Sequence, residues 1–222
     1  MGTIADNLAR IRAGLPEGVT LVAVSKFHPA EAIREAYEAG QRIFGESRPQ
    51  ELAAKHALLP DDIEWHLIGH LQTNKVKTVV PFVSLIHSVD SWRLAETVDR
   101  EAAKAGRTID VLLQLRVAQE ETKFGWDATD LERFLQDGSL GALLHLRIRG
   151  VMGMASLTDD TEQVRREFAE LREAFRRIKA NYLPQIDLLS MGMSGDYPTA
   201  IEEGATMVRI GSSIFGERSY GI

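Results

Sequence analysis

A closed parallel (β/α)8 barrel, the TIM barrel of the α/β class, is the fold this sequence predicts, and three observations predict it. Short β-rich apolar runs recur along the chain, and each but the last is followed by a helical segment. Runs such as Val111–Leu115 are apolar on successive residues, as strands covered on both faces are. No break in composition divides the chain, so residues 1–222 are expected to form one domain. An open doubly wound sheet has about five or six strands and often a phosphate loop after the first, and neither feature is met. Such a barrel usually takes about 250 residues. A chain of 222 therefore requires short loops.

The elements follow in order. Residues 3–13 read as an extra helix closing the bottom of the barrel. Strands are expected at Leu21–Val24, Arg42–Phe44, Trp65–Ile68, Leu85–His87, Ile109–Leu115, Leu143–Ile148, Ile186–Leu189 and Met207–Ile210. Pro29 suits a first helical turn, and Ile33 with Tyr37 marks one face of the helix after it. Asp90 or Ser91 can cap the next long helix, where Leu94, Val98 and Ala102 recur every four residues. The longest helix begins near Asp159 or Asp160, and Val164, Phe168, Leu171, Phe175 and Ile178 form its stripe. That stripe spans too few heptads for a coiled coil and fits one helix against a sheet.

Composition removes whole classes of function. Lys plus Arg number 26 against 32 Asp plus Glu, a net charge of −6, so nothing general attracts this chain to nucleic acid or to anionic lipid. Without cysteine there is no disulfide, iron–sulfur cluster, thiolate zinc site or Cys nucleophile. The start, MGTIADNLARIRAGLP, is charged throughout and is not expected to be a signal peptide. No stretch approaches the roughly 18 apolar residues of a membrane helix, and a cytoplasmic protein is expected.

In barrels the chemistry sits on the loops after the strands. Lys26 closes the first strand, directly after Leu21-Val22-Ala23-Val24-Ser25. It fits either a lysine emerging into solvent or an amine in the barrel mouth, where partial desolvation would suit it to a Schiff base with an aldehyde. Ser194-Gly195 after strand 7 and Gly211-Ser212-Ser213 after strand 8 are either ordinary turns or an anion site built from backbone N–H groups and hydroxyls. Together with Lys26 on the neighbouring strand 1, they describe a site for a phosphorylated aldehyde. Arg209 is the lone charge in an apolar strand and needs an acceptor, either Glu46 or another strand-end acid, or the ring nitrogen of a ligand.

The remaining chemistry-bearing residues read more plainly. His66, His70, His87 and His145 lie near different strands without a ligand pattern, so no metal site is expected, and His66 and His87 fit satisfied barrel histidines. Met152, Met154, Met191 and Met193 fit packing at the barrel rim. Trp65 and Trp92 read as packing, whereas Trp126 could cover a pocket or an interface. Lys75 and Lys77 fit a solvated helix face or, as the alternative, a local anion or partner patch.

The strand ends also carry a resemblance. VAVSK at 22–26, FGESRPQEL at 44–52, WHLIGHLQTNK at 65–75, HSVD at 87–90, ETKFG at 121–125, LSMGMSGDYPTAI at 189–201 and VRIGSSIFG at 208–216 resemble the pyridoxal phosphate homeostasis proteins. That family is related in fold to the N-terminal barrel of alanine racemases, the fold type III class of pyridoxal phosphate proteins. The segments keep their order and spacing almost end to end. The resemblance implies that Lys26 is the Schiff-base lysine for pyridoxal 5'-phosphate, that Ser194, Gly211 and Ser212 contact its phosphate, and that Arg209 faces the pyridine nitrogen. Because arginine holds its proton, that nitrogen would stay neutral and the cofactor would be a weak electron sink. The family commonly has Asn and often Tyr where this chain has Ser47 and Arg48.

The expected function is binding of pyridoxal 5'-phosphate in intracellular cofactor homeostasis, without racemase activity and with no catalytic residue assigned. Alanine racemase uses a tyrosine from a C-terminal domain for its second face, and this chain is expected to lack that domain. A low-activity racemase or lyase is the alternative. Expected partners are the cofactor and pyridoxal phosphate-dependent apoenzymes, with no nucleic acid and no membrane. A monomer is expected.

Overall fold

The computed structural model describes residues 2–118 and 124–216. The chain runs α1 (Ile4–Ala13), β1 (Thr20–Val24), α2 (Ala30–Glu38), β2 (Ile43–Glu46), α3 (Pro49–His56) and β3 (Glu64–Leu67). It continues through a short turn of 3-10 helix (Thr73–Lys75) into α4 (Val76–Val79), β4 (Leu85–Val89), α5 (Trp92–Lys104), β5 (Ile109–Gln114) and α6 (Ala128–Gln136). After a second 3-10 turn (Ser139–Ala142) come β6 (Leu146–Met152), α7 (Thr161–Asn181), β7 (Leu188–Ser190), α8 (Tyr197–Glu202), β8 (Met207–Ile210) and α9 (Ser212–Phe215). The strands pair in sequence order, all parallel, and the ring closes between β8 and β1, where Val22 pairs with Arg209 and Ala23 with Ile210.

Strand alternation divides the interior into two apolar regions. Val22, Leu85, Leu112, Met152 and Met207 point inward and fill the lumen. The opposite parity packs under the helices, where Phe44, Trp65, Ile86, Phe168 and Leu171 are buried. Asp160 caps α7 by accepting from the N–H groups of Glu162 and Gln163 at 3.0 and 3.1 Å. Phe168 and Leu171 of that helix lose all contact with water, each stabilising the barrel by about 1.5–3 kcal/mol. Ser91 caps α5 as its position suggests, accepting from Leu94 N–H.

Three expectations about elements need correction. Strand 6 lies at Leu146–Met152, not at Leu143–Ile148, because Leu143 ends the 3-10 turn. Gly150 continues the strand because it has no Cβ to drive into the Leu188 carbonyl of β7. Strand 7 is Leu188–Ser190, since the Ile186 N–H is spent on a turn to the Leu183 carbonyl. Finally, α1 does not lie under the barrel. It packs against α2 and α9 in the outer ring, with Leu8 and Ile11 buried and Asn7 Nδ2 donating to the Ile214 carbonyl at 2.9 Å. With α9 only four residues long, α1 fills the place a longer last helix would take.

Among the described residues no helix is long and apolar enough to cross a membrane.

Candidate functional site at the carboxyl end of the barrel

A cavity of about 440 Å³ opens where the strands end. Val24, Lys26, Ser194, Arg209, Gly211 and Ser212 line it, so all the site residues picked out from sequence converge on one space. Ser47, His70, Gln114, Phe124, Met154 and Met193 complete much of its wall.

Parity places Lys26. Val22 faces the lumen and Val24 the cavity, so the next residue of that parity enters the cavity mouth, half-buried. Across the β1–β8 seam lies a group of donors. Ser194 Oγ accepts from the Gly211 N–H at 3.2 Å, joining the turn after β7 to the turn after β8. Ser212 opens α9, and the first N–H groups of a helix have no acceptor within it. A Cβ on Gly195 would meet nothing within 4 Å, so the space beside that backbone belongs to the cavity. Gly211 sits tight, with its missing Cβ 3.1 Å from the Val24 carbonyl.

Arg209 lies at the floor, 4% exposed. Its parity with Met207 sends it into the lumen. There Nη1 donates to Ser190 Oγ at 2.6 Å and Nη2 to the Gly153 carbonyl at 3.0 Å. Burial lowers its pKa to about 10, and the charge of Asp196 acts against that shift, so the guanidinium stays protonated near neutrality. The salt bridge to Glu46 suggested by sequence is not the arrangement found. Glu46 has the opposite parity and pairs with Lys55 at 2.7 Å on the helix side of β2.

The lumen histidines are hydrogen-bonded, as their positions imply. His87 Nδ1 is 3.1 Å from Ser190 Oγ, and His87 Nε2 is 3.1 Å from His66 Nδ1. Burial pushes the His66 pKa down to about 3 and the His87 pKa well below its ordinary value, so both are neutral. Among the described residues no group of three His, Asp or Glu side chains could hold a metal ion.

Sequence reasoning left several wall residues without a role. His70 stands at the mouth with Nδ1 3.0 Å from Asp90 Oδ2, its ring stacked on Phe124 at 3.7 Å. Gln114 fixes the same loop by donating to the Phe124 carbonyl at 2.8 Å. Glu167 of α7 accepts from the Ser156 N–H at 2.6 Å and hydroxyl at 2.8 Å, anchoring the loop that carries Met154. The Gln114 position at a strand end was the available signal; a glutamate in the middle of α7 gave none.

Other expectations sort plainly. Met154 and Met193 line the cavity while Met152 and Met191 are buried. Trp92 packs on Phe134, and buried Trp126 stacks on the same ring while donating to the Val89 carbonyl. Lys77 is exposed and Lys75 half-exposed. Ser47 lines the cavity, whereas the Arg48 guanidinium lies over the Phe27 ring at 4.8 Å. Residues 121–123 of the ETKFG segment and Tyr220 lie outside the described residues.

The donor set suits a phosphorylated pyridine aldehyde. Hydroxyls and N–H groups gather on one side, a guanidinium sits at the floor, and an amine enters from the other side. Comparison with known proteins agrees. Residues 1–219 match the family model described as alanine racemase, N-terminal domain. The pyridoxal phosphate homeostasis protein of Aquifex aeolicus is 42% identical over 211 residues, covering 94% of this chain and 92% of that one. PipY of Synechococcus elongatus without PLP superposes with a TM-score of 0.91 at 46% identity, over 96% of this chain and all of that one. Its structure with PLP bound gives 0.88 at 45% identity, with the same shares covered. With its eight-stranded ring, its lysine at the end of β1 and its donor turns after β7 and β8, the chain belongs to the pyridoxal phosphate homeostasis protein family, whose barrel is that of the alanine racemase N-terminal domain.

Proposed function

We propose that this protein binds pyridoxal 5'-phosphate covalently through Lys26 and serves as its carrier in cofactor homeostasis. One observation carries the reading: a single cavity is lined by the Lys26 amine, the buried Arg209 and the Ser194, Gly211 and Ser212 donors. When bound, the cofactor supplies an aldehyde that an amine can hold reversibly. The chain's own residues do the rest. Ser194 and Ser212 hydroxyls with the adjoining backbone hold the phosphate, as donors converging on an anion do. Arg209 presents N–H donors to the ring nitrogen and keeps its proton, which leaves that nitrogen unprotonated. Lys26, half-buried at the mouth, presents the amine that must attack the aldehyde.

The carrier reading is supported by the relatives named as homeostasis proteins and by PipY, whose structure is solved with and without PLP. We assign Lys26, Ser194, Arg209, Gly211 and Ser212 to cofactor binding and none to catalysis. The expected setting is cytoplasmic, with pyridoxal phosphate-dependent apoenzymes as recipients and a single-domain monomer as the working form. The test is to mix the protein with pyridoxal 5'-phosphate, reduce with borohydride and map the mass. Mass on Lys26 is expected, and its absence there overturns the reading. Exchange of the Cα hydrogen of alanine with inversion would replace the carrier with an enzyme.

A further inference from the structure

Lys26 is flanked by two residues that a buried charge cluster holds on the helix side of the sheet. Lys55 of α3 projects its Nζ into the space behind β1 and β2. There it donates to the Ser25 carbonyl at 2.8 Å, to Glu46 Oε1 at 2.7 Å and to Glu51 Oε1 at 2.7 Å. Ser25 Oγ donates to the same Glu46 oxygen at 2.6 Å. On the far side of Lys26, the Phe27 N–H donates to Glu51 Oε1 at 2.6 Å. Both peptides next to the lysine are therefore tied to one ammonium and two carboxylates.

Placing such a cluster there is costly. Glu46 is fully buried, the Lys55 side chain is 8% exposed, and Glu46 Oε2 has no hydrogen-bond partner. Removing water from these charges is unfavourable, and an apolar filling would serve the fold at least as well. What the cluster does accompany is a strained backbone. Phe27 has φ +67°, and among the described residues it is the one non-glycine residue with positive φ. A residue persists in that region where its surroundings over-determine it, and such residues gather at functional sites. The Glu51 carboxylate on the Phe27 N–H and the Arg48 guanidinium over its ring supply that constraint.

We propose that Lys55, Glu46 and Glu51 are positioning residues for Lys26. They fix the peptide on both sides of the lysine, so that its amine enters the cavity along one path and meets the aldehyde already aligned. None of the three lines the cavity, so they act on bond formation at Lys26 and not on the hold on the phosphate. This rests on the reading that Lys26 bonds the cofactor, and it adds which residues set the rate of that bond.

The test uses Glu51→Ala and Glu51→Gln, because Glu51 is the most accessible member of the cluster. Lys55→Met is a harsher companion, since it leaves buried Glu46 and half-buried Glu51 without their counter-ion. Hydrogen exchange of the unloaded protein reads the clamp directly. The Phe27 amide should exchange at least about tenfold faster in Glu51→Ala. The rate of covalent loading with pyridoxal 5'-phosphate should fall by about tenfold or more, as misalignment of a reacting pair does. Glu51→Gln, which keeps an acceptor for the Phe27 N–H, should recover most of it. Affinity for pyridoxine 5'-phosphate, which has no aldehyde and reports the non-covalent hold on phosphate and ring, should stay within about twofold. Loading of Glu51→Ala at the parent rate would overturn the proposal, and so would a fall in pyridoxine 5'-phosphate affinity equal to the fall in loading rate. A parent protein that takes no mass on Lys26 would instead overturn the binding reading beneath it.

Discussion

Arg209 and His87 share one hydroxyl: Ser190 Oγ accepts from Arg209 Nη1 at 2.6 Å and lies 3.1 Å from His87 Nδ1. Both rings are neutral, so across the His87 Nε2–His66 Nδ1 contact one ring nitrogen donates and the other accepts, and the tautomer of His87 sets which. The contacts thus run unbroken from Arg209 at the floor of the cavity through Ser190 and His87 to His66 in the lumen.

Ser190→Ala breaks that chain at its middle. Arg209 Nη1 and His87 Nδ1 both lose a buried partner, at about 1–3 kcal/mol for each group left unsatisfied. Urea denaturation should show a lower midpoint with an unchanged slope, while the Lys26 adduct still forms.

The buried histidines predict acid sensitivity. Their folded pKa values lie below the ordinary 6.5. As pH falls below 6.5 the unfolded chain takes up protons that the folded chain refuses. Each histidine then costs about 1.4 kcal/mol of stability per pH unit. Glu46 opposes this. Burial raises its pKa to about 7, against the pull of Lys55. The folded state therefore holds a proton there between about 4.5 and 7 that the unfolded state has released, and this group favours folding as the medium acidifies. Replacing both histidines with Gln should flatten the loss of stability between pH 6.5 and 4 seen in urea titrations, which reads the predicted sign.

Lys26→Ala should abolish borohydride-fixed mass and visible absorbance, yet change the melting temperature by no more than about 2 °C. The side chain is half-exposed at the mouth and supports no packed core. A large fall in melting temperature would mean that the lysine is structural.

Ser194→Ala removes the hydroxyl that accepts the Gly211 N–H and faces the cavity. Loss of one hydrogen bond to a charged group is worth about 1.5–3 kcal/mol. The dissociation constant for pyridoxal 5'-phosphate should rise by about tenfold or more. That for pyridoxal, which carries no phosphate, should stay unchanged. Fluorescence titration with the two ligands makes the comparison.

The ring and the convergence of Lys26, Ser194, Arg209, Gly211 and Ser212 were legible because strand ends in a parallel barrel share one face, whatever the side-chain detail. Arg209 shows the limit. Its isolation among apolar neighbours announced a buried charge, but its acceptors proved to be the Ser190 hydroxyl and the Gly153 carbonyl, which no local pattern in the sequence designates. The Lys55 cluster escaped for a related reason. Glu51 and Lys55 stand at helical spacing on α3 and look like a solvated pair, and only packing of α3 against β2 turns Lys55 inward. Strand 6 was misplaced because Gly150 reads as a break, when close approach to β7 requires it.

The closure between β1 and β8 has a consequence for how the protein comes into being. On the proposed reading, its grip on the ligand would be divided between the two ends of the barrel sequence, with the amine just after β1 and the phosphate contacts in the turns after β7 and β8. A half-made molecule holds a lysine but no pocket. On that reading cofactor capture waits for a finished ring, and the captured molecule would act as a clasp across the seam that completes it.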